Sequence, residues 1–317
     1  MLRIHFLNVG HGDCTIIKHH SGRLTMIDIN NSQEYDDESL NDIINEEIQR
    51  LTPLNRLAGL GSTLQYYVEA RVKAEQELTD PIAFLKTTYP GENIFRFVLT
   101  HPDLDHMRGL KRLHNNVGFV NFWDTSHTKP TPSYRSDADR EDWEFYQQLR
   151  KGDKARKYTR GNSHYAFGVD EYGRIGGDNI EILSPTPELV RSCNTAGKSN
   201  DLSLVLRVFH AGKSVILPGD AENDAWNNMI SYYGESLKSD FLKASHHGRD
   251  SGYSLDAVKL IKPLLTFVSV GRKPDTDASS KYRSQCQRVA STRYHGNIEL
   301  RLDDNGLHEW FVDKNPG

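Results

Sequence analysis

The segment HPDLDH, residues 101–106, places four potential metal ligands within six positions. They are His101, Asp103, Asp105 and His106, and they directly follow the apolar run FRFVL. A packed core would exclude such a group, whereas a turn at the end of a strand presents side chains to a ligand. Imidazole nitrogens and carboxylate oxygens together can surround one or two divalent cations. The spacing predicts a metal site on this turn, with a solvated polar loop as the alternative.

Two later strand ends supply further candidate ligands. The apolar run SVIL is followed by a Gly-Asp pair that ends in Asp220, and the run FLKAS is followed by His246 and His247. A Gly-Asp pair or a His pair alone is a weak signal. Three apolar runs that each end in ligand-type residues favour convergence on one metal centre.

The elements that must position these residues fall into two groups of strands. Alternating or continuous apolar residues predict strands at RIHFLNV, CTIIK, LTMIDI and FRFVLT, and later at NIEIL, LSLVLRVF, SVILPGD, FLKASHH, LTFVSVG and NIELRL. Residues 31–94 have helical spacing and capping signals, including Asp80 and Pro81 at a helix start. We predict one α/β domain over residues 1–317, with a helical insertion at 31–94 and a mixed insertion at 123–179.

Composition excludes several classes of protein. Lys and Arg number 39 against 43 Asp and Glu, for a formal net charge of -4, so no global positive field predicts nucleic-acid binding. No apolar run approaches the roughly 18 residues of a membrane-spanning helix. The alternation of Leu2, Ile4 and Phe6 is typical of a strand and not of a secretory signal. Three cysteines without a Cys-x-x-Cys pair predict no disulfide framework, and we expect a cytoplasmic protein.

The order of several motifs resembles a known fold. FLNVGHGDC, MIDIN, HPDLDH, SNDLSLVL, LPGDA, SHHGRDS and FVSVG follow one another as in the metallo-β-lactamase fold, and specifically as in the branch that contains the hydrolase domain of the competence protein ComEC. The likeness runs from residue 1 to about residue 302, interrupted by the two insertions. It implies a four-layer αββα sandwich with a two-metal site along one edge of the sheets.

The resemblance also implies a role for each candidate ligand. The implied ligands are His101 and Asp103 for the first metal, Asp105, His106 and His246 for the second, and Asp220 as the bridge between them. His247 would face the substrate and is, with Asp105, a candidate catalytic residue, although either His246 or His247 could be the ligand. The implied cofactors are two divalent ions, zinc or manganese, since imidazoles suit zinc and hard oxygen donors favour manganese.

Further residues would lie around the metals. The resemblance implies that Asp28 orients ligands from behind and that His11 and Asp13 lie at the rim of the site. The family usually supplies a third histidine for the first metal, but the corresponding segment here, GKSNDLSLVL, has none. Asn200 or Asp201 could replace this histidine as the third ligand of the first metal. The first metal is therefore expected to be held weakly.

Other polar residues are expected to have no chemical role. The histidines predicted to be surface residues are His19, His20, His114, His210 and His308. His164 is the exception, because it is a further candidate metal ligand. The helically spaced Trp143, Tyr146 and Leu149 predict packing, and the basic residues 150–160 predict a solvated face, with phosphate contact as the alternative.

These features together predict a two-metal hydrolase. Metal ions lower the pKa of bound water toward neutrality and neutralise charge on the attacking and leaving oxygens. The resemblance implies a nuclease or phosphodiesterase that acts on DNA, RNA or a nucleotide. Hydrolysis of a lactone or thioester is the alternative enzymatic function. A regulatory or defence component that docks a protein partner through residues 31–94 is the alternative outside enzymes.

Overall fold

Two large β-sheets dominate the computed structural model, which describes residues 1–32, 41–46, 49, 77–152, 155–168, 177–271 and 275–314. In spatial order, the eight-stranded sheet contains β16 (His308–Val312), β15 (Ile298–Leu302), β1 (Leu2–Phe6), β2 (Thr15–Lys18), β3 (Leu24–Ile27), β5 (Ile94–Val98), β7 (Phe119–Asp124) and β8 (Ala155–Lys157). The six-stranded sheet contains β14 (Arg288–Ser291), β13 (Leu265–Val268), β12 (Phe241–Lys243), β11 (Lys213–Leu217), β10 (Val205–His210) and β9 (Ile180–Ser184).

Helices cover the outer faces of the sheets. They are α1 (Pro81–Thr88), α2 (Leu110–Asn116), α3 (Asp137–Lys151), α4 (Pro187–Ala196), α5 (Asn223–Tyr233), α6 (Leu255–Ile261), α7 (Ser279–Arg283) and α8 (Thr292–His295). A short parallel pair, β4 (Ile29–Asn30) and β6 (Met107–Arg108), joins the segment after β3 to the end of the HPDLDH turn. Among the described residues, no helix has both the length and the apolar composition needed to cross a lipid bilayer.

The inner core lies between the two sheets. Leu2, Ile4 and Phe6 of β1 point into it, so the alternation seen in the sequence corresponds to a strand with one face on this core. The rings of Phe6 and Phe267 stack across it with centroids 4.6 Å apart. Burial of apolar surface between the sheets is the main force that holds them together.

Two outer cores complete the sandwich. On one side, Phe97 and Phe122 pack under α1, α2 and α3 together with Trp143 and Tyr146. On the other side, the outer face of the six-stranded sheet packs under α4, α5 and α6. The four-layer αββα arrangement implied by the resemblance is confirmed. Trp143 and Tyr146 serve packing, as their helical spacing predicted.

The capping signal at Asp80 is also confirmed. Its Oδ1 accepts hydrogen bonds from the backbone N–H groups of Ile82 at 2.8 Å and Ala83 at 3.2 Å, and Pro81 occupies the first helical position. Residues 41–46 are helical as well. Most of the predicted helical insertion lies outside the described residues, so its remaining helices and its use as a docking surface stay predictions.

The segment predicted as a mixed insertion starts inside the scaffold. Its first residues, 123–124, belong to β7, and β8 pairs in parallel with β7, with Ala155 opposite Phe122. Part of the predicted insertion therefore extends the eight-stranded sheet.

The predicted exposure of two histidines is wrong. His19 is buried, with Nε2 2.8 Å from the hydroxyl of Thr25, and burial lowers its pKa to about 3. His210 is also buried and lies 2.9 Å from Asp304 Oδ1. His19 follows β2 and His210 is the last residue of β10, so both lie near a turn, where sequence pattern alone does not show which neighbouring segments cover the ring. His164 is exposed and packs against the ring of Tyr165.

We expect Phe6→Ala to lower the free energy of unfolding by about 3–5 kcal/mol, because it leaves a cavity opposite Phe267. The measurement is denaturant unfolding followed by circular dichroism. Leu307→Ala, at an exposed turn residue, is the control and should change stability by less than about 0.5 kcal/mol. Equal stability of the two variants would contradict the assigned core.

Candidate metal centre

Three turns at one edge of the sandwich carry the candidate ligands. The HPDLDH turn follows β5, the turn with Asp220 follows β11, and the turn with His246 and His247 follows β12. β5 belongs to one sheet, while β11 and β12 are parallel neighbours in the other. The site therefore lies where the two sheets meet, as the strand-end motifs predicted.

Gly219 allows the turns to approach one another. Its φ is +57°, and a Cβ at this position would lie 2.8 Å from Cβ of Thr100. Glycine meets both the left-handed conformation and the close approach without a steric clash. The Gly219 carbonyl also accepts the backbone N–H of His246 at 3.2 Å. Asp220 is thus fixed between the other two turns.

His106, Asp220 and His247 form a compact set of donor atoms, and Asp105 lies beside the two histidines. Asp220 Oδ2 lies 3.3 Å from His106 Nε2 and 3.4 Å from His247 Nε2. Asp105 Oδ2 lies 3.4 Å from His247 Nε2 and 4.0 Å from His106 Nε2. Ligands bound about 2.1 Å from a tetrahedral ion are about 3.4 Å apart, so these separations suit one shared cation.

The hydrogen bonding of this set also fits a cation. Nε2 of His106, Nε2 of His247 and Oδ1 of Asp220 are buried and have no hydrogen-bond partner. Buried polar atoms are normally paired, and unpaired ones that point to a common centre indicate a bound ion. The residues present therefore fit a divalent metal at this position, which we call the second position.

The ligands expected for the first metal are arranged more loosely. His101 Nε2 lies 3.5 Å from Asp103 Oδ1 and 3.9 Å from Asp220 Oδ2. His246, which was expected at the second metal, has its Nε2 3.7 Å from Asp220 Oδ2. Among the described residues, no group of three potential ligands whose donor atoms all lie within 4.8 Å of one another includes His101 or Asp103. We call this looser set the first position.

The adjacent histidines lie in positions opposite to those expected. His247 is buried beside Asp105, and its Nδ1 faces the carbonyl of Ser269 at 3.2 Å. The side chain of His246 is 17% exposed, and its Nδ1 is 2.9 Å from Glu222 Oε1. The geometry therefore groups His247, and not His246, with His106 and Asp220. Both residues have positive φ, of 48° and 54°, which is a strained conformation for residues with a side chain.

Asp28 supports the site from behind, where the resemblance implied it. Its carboxylate accepts the backbone N–H of Thr100 at 2.8 Å and the Thr100 hydroxyl at 2.7 Å. Asp28 Oδ2 also lies 2.8 Å from His106 Nδ1. A carboxylate on one ring nitrogen orients the other nitrogen toward a metal and raises its basicity.

The two residues expected at the rim differ in position. The side chain of His11 is 26% exposed, and its Nε2 is 3.9 Å from Asp105 Oδ2, which is a rim position. Asp13 is buried instead, where Lys243 Nζ donates to its Oδ2 at 2.6 Å. A donor oxygen of Asp13 belongs to the same group as His106, Asp220 and His247. The rim position predicted for Asp13 is therefore wrong.

The expected substitutes for the missing histidine lie away from the first position. Asp201 Oδ1 accepts the backbone N–H groups of Glu222 at 3.1 Å and Ala225 at 2.9 Å, so it caps the start of α5. Asn200 donates to Glu222 at 3.3 Å. Sequence reasoning also missed Glu222 itself, which lies two residues after Asp220 and orients His246.

Charges in the second position stabilise each other. Burial would raise the pKa of Asp220, but His247 and His106 hold it well below its usual range. Burial would lower the pKa of His247, but Asp220 and Asp105 raise it to about 10. The same carboxylates would stabilise a divalent cation between neutral imidazoles.

No protein-family model matches the chain. The uncharacterized protein YcaI of Escherichia coli strain K12 is 23% identical over 133 residues, which cover 36% of this chain and 18% of that protein. Competence protein ComA of Neisseria gonorrhoeae is 24% identical over 136 residues, which cover 41% of this chain and 19% of that protein. The chain thus spans less than a fifth of the length of these curated relatives.

Solved structures similar to this chain cover nearly all of it at low identity. Igni18, a metallo hydrolase of Ignicoccus hospitalis, has a TM-score of 0.43 at 13% identity and covers 98% of this chain and 100% of its own. YhfI of Bacillus subtilis, a metallo-β-lactamase fold protein, has a TM-score of 0.44 at 12% identity with the same coverage. CmlA of Streptomyces venezuelae, a diiron β-hydroxylase, has a TM-score of 0.49 at 13% identity and covers 94% of this chain and 54% of its own.

Four αββα layers, with ligand-type residues on strand-end turns at one sheet edge, are the decisive observation. This chain has the metallo-β-lactamase fold. The fold class predicted from the motifs is confirmed, while the ComEC branch stays a prediction.

We expect Asp28→Asn to weaken metal binding about 10–100-fold, because the amide no longer holds His106 as a carboxylate does. Calorimetric titration with Mn²⁺ measures the affinity. Asp137→Asn, at an exposed residue of α3, is the matched control and should bind like the unmodified protein. Unchanged affinity in a folded Asp28→Asn protein would show that Asp28 does not support the ligands.

Proposed function

We propose that this chain is a metal-dependent hydrolase that cleaves a phosphodiester bond in a nucleic acid or nucleotide. The observation that carries the proposal is the convergence of His106, Asp220 and His247 with Asp13, together with Asp105 beside His247; the ring nitrogens at this centre are buried and have no hydrogen-bond partner. Manganese and zinc are the proposed metals, since the donors are two imidazoles and two carboxylates. The expected location in the cytoplasm stays a prediction.

A divalent ion bound there would supply Lewis acidity and lower the pKa of a water molecule. The chain's own residues hold and orient the reactants. Asp220 is buried at the centre of the site, while the side chain of Asp105 is 23% exposed and faces the mouth. His11 lies beside Asp105 at the rim, where it can contact a substrate or its leaving group.

Cationic side chains favour a phosphodiester over a neutral ester. An Arg249 Nη lies 3.4 Å from His11 Nε2 at one side of the mouth. Lys129 pairs with Asp103 at the first position. A phosphodiester carries a negative charge that guanidinium and ammonium groups bind, whereas a lactone or thioester gains less from them.

A cavity beside His11 is large enough for a nucleotide. Its volume is about 710 Å³, which lies within the range of small-molecule sites. The basic side chains in its lining are Arg108, Lys111, Arg112 and Arg135. Three of the four form ion pairs with neighbouring carboxylates, so the cavity is polar and only moderately positive.

The direct test is a panel of substrates with and without Mn²⁺ or Zn²⁺. It compares bis(p-nitrophenyl) phosphate, single-stranded and duplex DNA, RNA, a cyclic dinucleotide and a set of lactones. We expect metal-dependent cleavage of a phosphodiester that a chelator abolishes. Turnover confined to lactones would support the acyl alternative, and no turnover of any substrate would support a non-enzymatic role.

We expect Asp105→Asn to reduce turnover of the phosphodiester by about a thousandfold or more, equivalent to about 4 kcal/mol, because it removes the charge of a ligand. Circular dichroism should show a folded protein. Asp256→Asn, at an exposed residue of α6, is the control and should retain full activity. Undiminished turnover by Asp105→Asn would exclude a ligand role for this carboxylate.

A further inference from the structure

We propose that Lys129 supplies the positive charge at the first position, so that the centre works with one tightly bound metal ion at the second position and a lysine ammonium beside it. This inference rests on the metal centre of the proposed function, but it does not depend on the identity of the substrate.

The first position offers a poor set of ligands. It has one buried imidazole, His101, whose Nε2 also has no hydrogen-bond partner, and it shares Asp220 with the second position. The residues that could replace the missing histidine, Asn200 and Asp201, are engaged with Glu222 and the start of α5. His246 Nε2 approaches Asp220, but it shares no compact group with His101 or Asp103.

Lys129 already neutralises the carboxylate that a first metal would need. Its Nζ forms an ion pair and hydrogen bond with Asp103 Oδ1. The hydroxyl of Ser199 lies 3.3 Å from the same Nζ and 3.4 Å from Asp103 Oδ1. A divalent ion at Asp103 would have to displace or repel this ammonium group, which disfavours its binding.

The backbone of Lys129 is fixed from the protein interior. Its N–H donates to Nδ1 of His127 at 3.0 Å, and His127 Nε2 lies 2.6 Å from the hydroxyl of Tyr146. Tyr146 donates in turn to Asp124 at 3.0 Å, which also accepts from Arg150 at 2.8 Å. Burial lowers the pKa of His127 to about 3, so the ring is neutral and can accept the bond from Lys129.

A second contact fixes the same loop on its other side. The backbone N–H of Thr128 donates to Asn194 Oδ1 at 2.8 Å, and Asn194 Nδ2 donates to the carbonyl of Ser126 at 3.1 Å. Residues 126–129 are therefore held between α3 and α4. The side chain of Lys129 is 21% exposed, so it is accessible to a substrate while its backbone is anchored.

The chemical consequence is a centre with two kinds of cation. An ammonium group carries three hydrogen-bond donors and can bind a non-bridging phosphate oxygen. It would hold the substrate's negative charge at the place where a two-metal enzyme has its first ion. Lys129 thus contacts the substrate, while the metal ligands at the second position remain unchanged.

Metal stoichiometry tests this inference without requiring any activity. The protein is saturated with Mn²⁺, dialysed, and its metal content per chain is measured by mass spectrometry. We expect about one equivalent in the unmodified protein. Two equivalents of similar affinity would overturn the proposal, and so would the absence of bound metal.

Variants of matched residues sharpen the test. Asp103→Asn should still bind one equivalent of Mn²⁺ per chain, whereas Asp105→Asn should lose the bound ion. Lys129→Ala should gain a weak second equivalent, because Asp103 becomes available, and its KM for a phosphodiester should rise about tenfold or more. Lys198→Ala, at an exposed lysine paired with Asp224, is the control and should match the unmodified protein.

The outcomes separate this inference from the proposed function. One equivalent in the unmodified protein and two in Lys129→Ala would support the inference even if only lactones were hydrolysed. Loss of the bound ion in Asp103→Asn would overturn it even if phosphodiesters were cleaved.

Discussion

The buried carboxylate of Asp220 imposes the central constraint on this molecule. An isolated charge in this position would cost several kcal/mol, so neighbouring groups must compensate it. Four imidazoles approach Asp220 Oδ2 within 3.9 Å, and they belong to His101, His106, His246 and His247. They come from two turns that follow strands of different sheets. The two sheets must therefore approach each other closely at this edge, and Gly219 provides the space for that approach.

The support of the ligands follows from the same constraint. Each compensating ring needs a fixed orientation, and each obtains it through its other nitrogen. Asp28 orients His106, Glu222 orients His246 and the Ser269 carbonyl orients His247. Asp28 also binds the backbone of Thr100, so the same carboxylate holds the start of the metal turn and one of its ligands. The geometry of the centre is thus set by residues that a metal would not contact.

The strand-end motifs and the capping of α1 could be predicted from local sequence, because each depends on short-range periodicity or on a compact motif. The four layers were predicted only through the resemblance to the metallo-β-lactamase fold. Contacts between segments that are distant in the sequence could not be predicted from local sequence. Lys129 meets Asp103 across 26 residues, in a polar loop with no regular pattern. Lys243 meets Asp13 across 230 residues, which is why Asp13 was expected at the rim. The short strand β8 was missed because its sequence, ARK, has no apolar alternation.

The pairing of β1 with β15 has a consequence for how the chain is made. Leu2 lies opposite Leu302 and Phe6 opposite Ile298, so β1 lacks one neighbour until residues 298–302 have left the ribosome. The loop with His11 and Asp13 follows β1 directly. Contacts of such long sequence separation form slowly and close late in folding. The loop with His11 and Asp13 therefore gains its full support only after β15 has paired with β1.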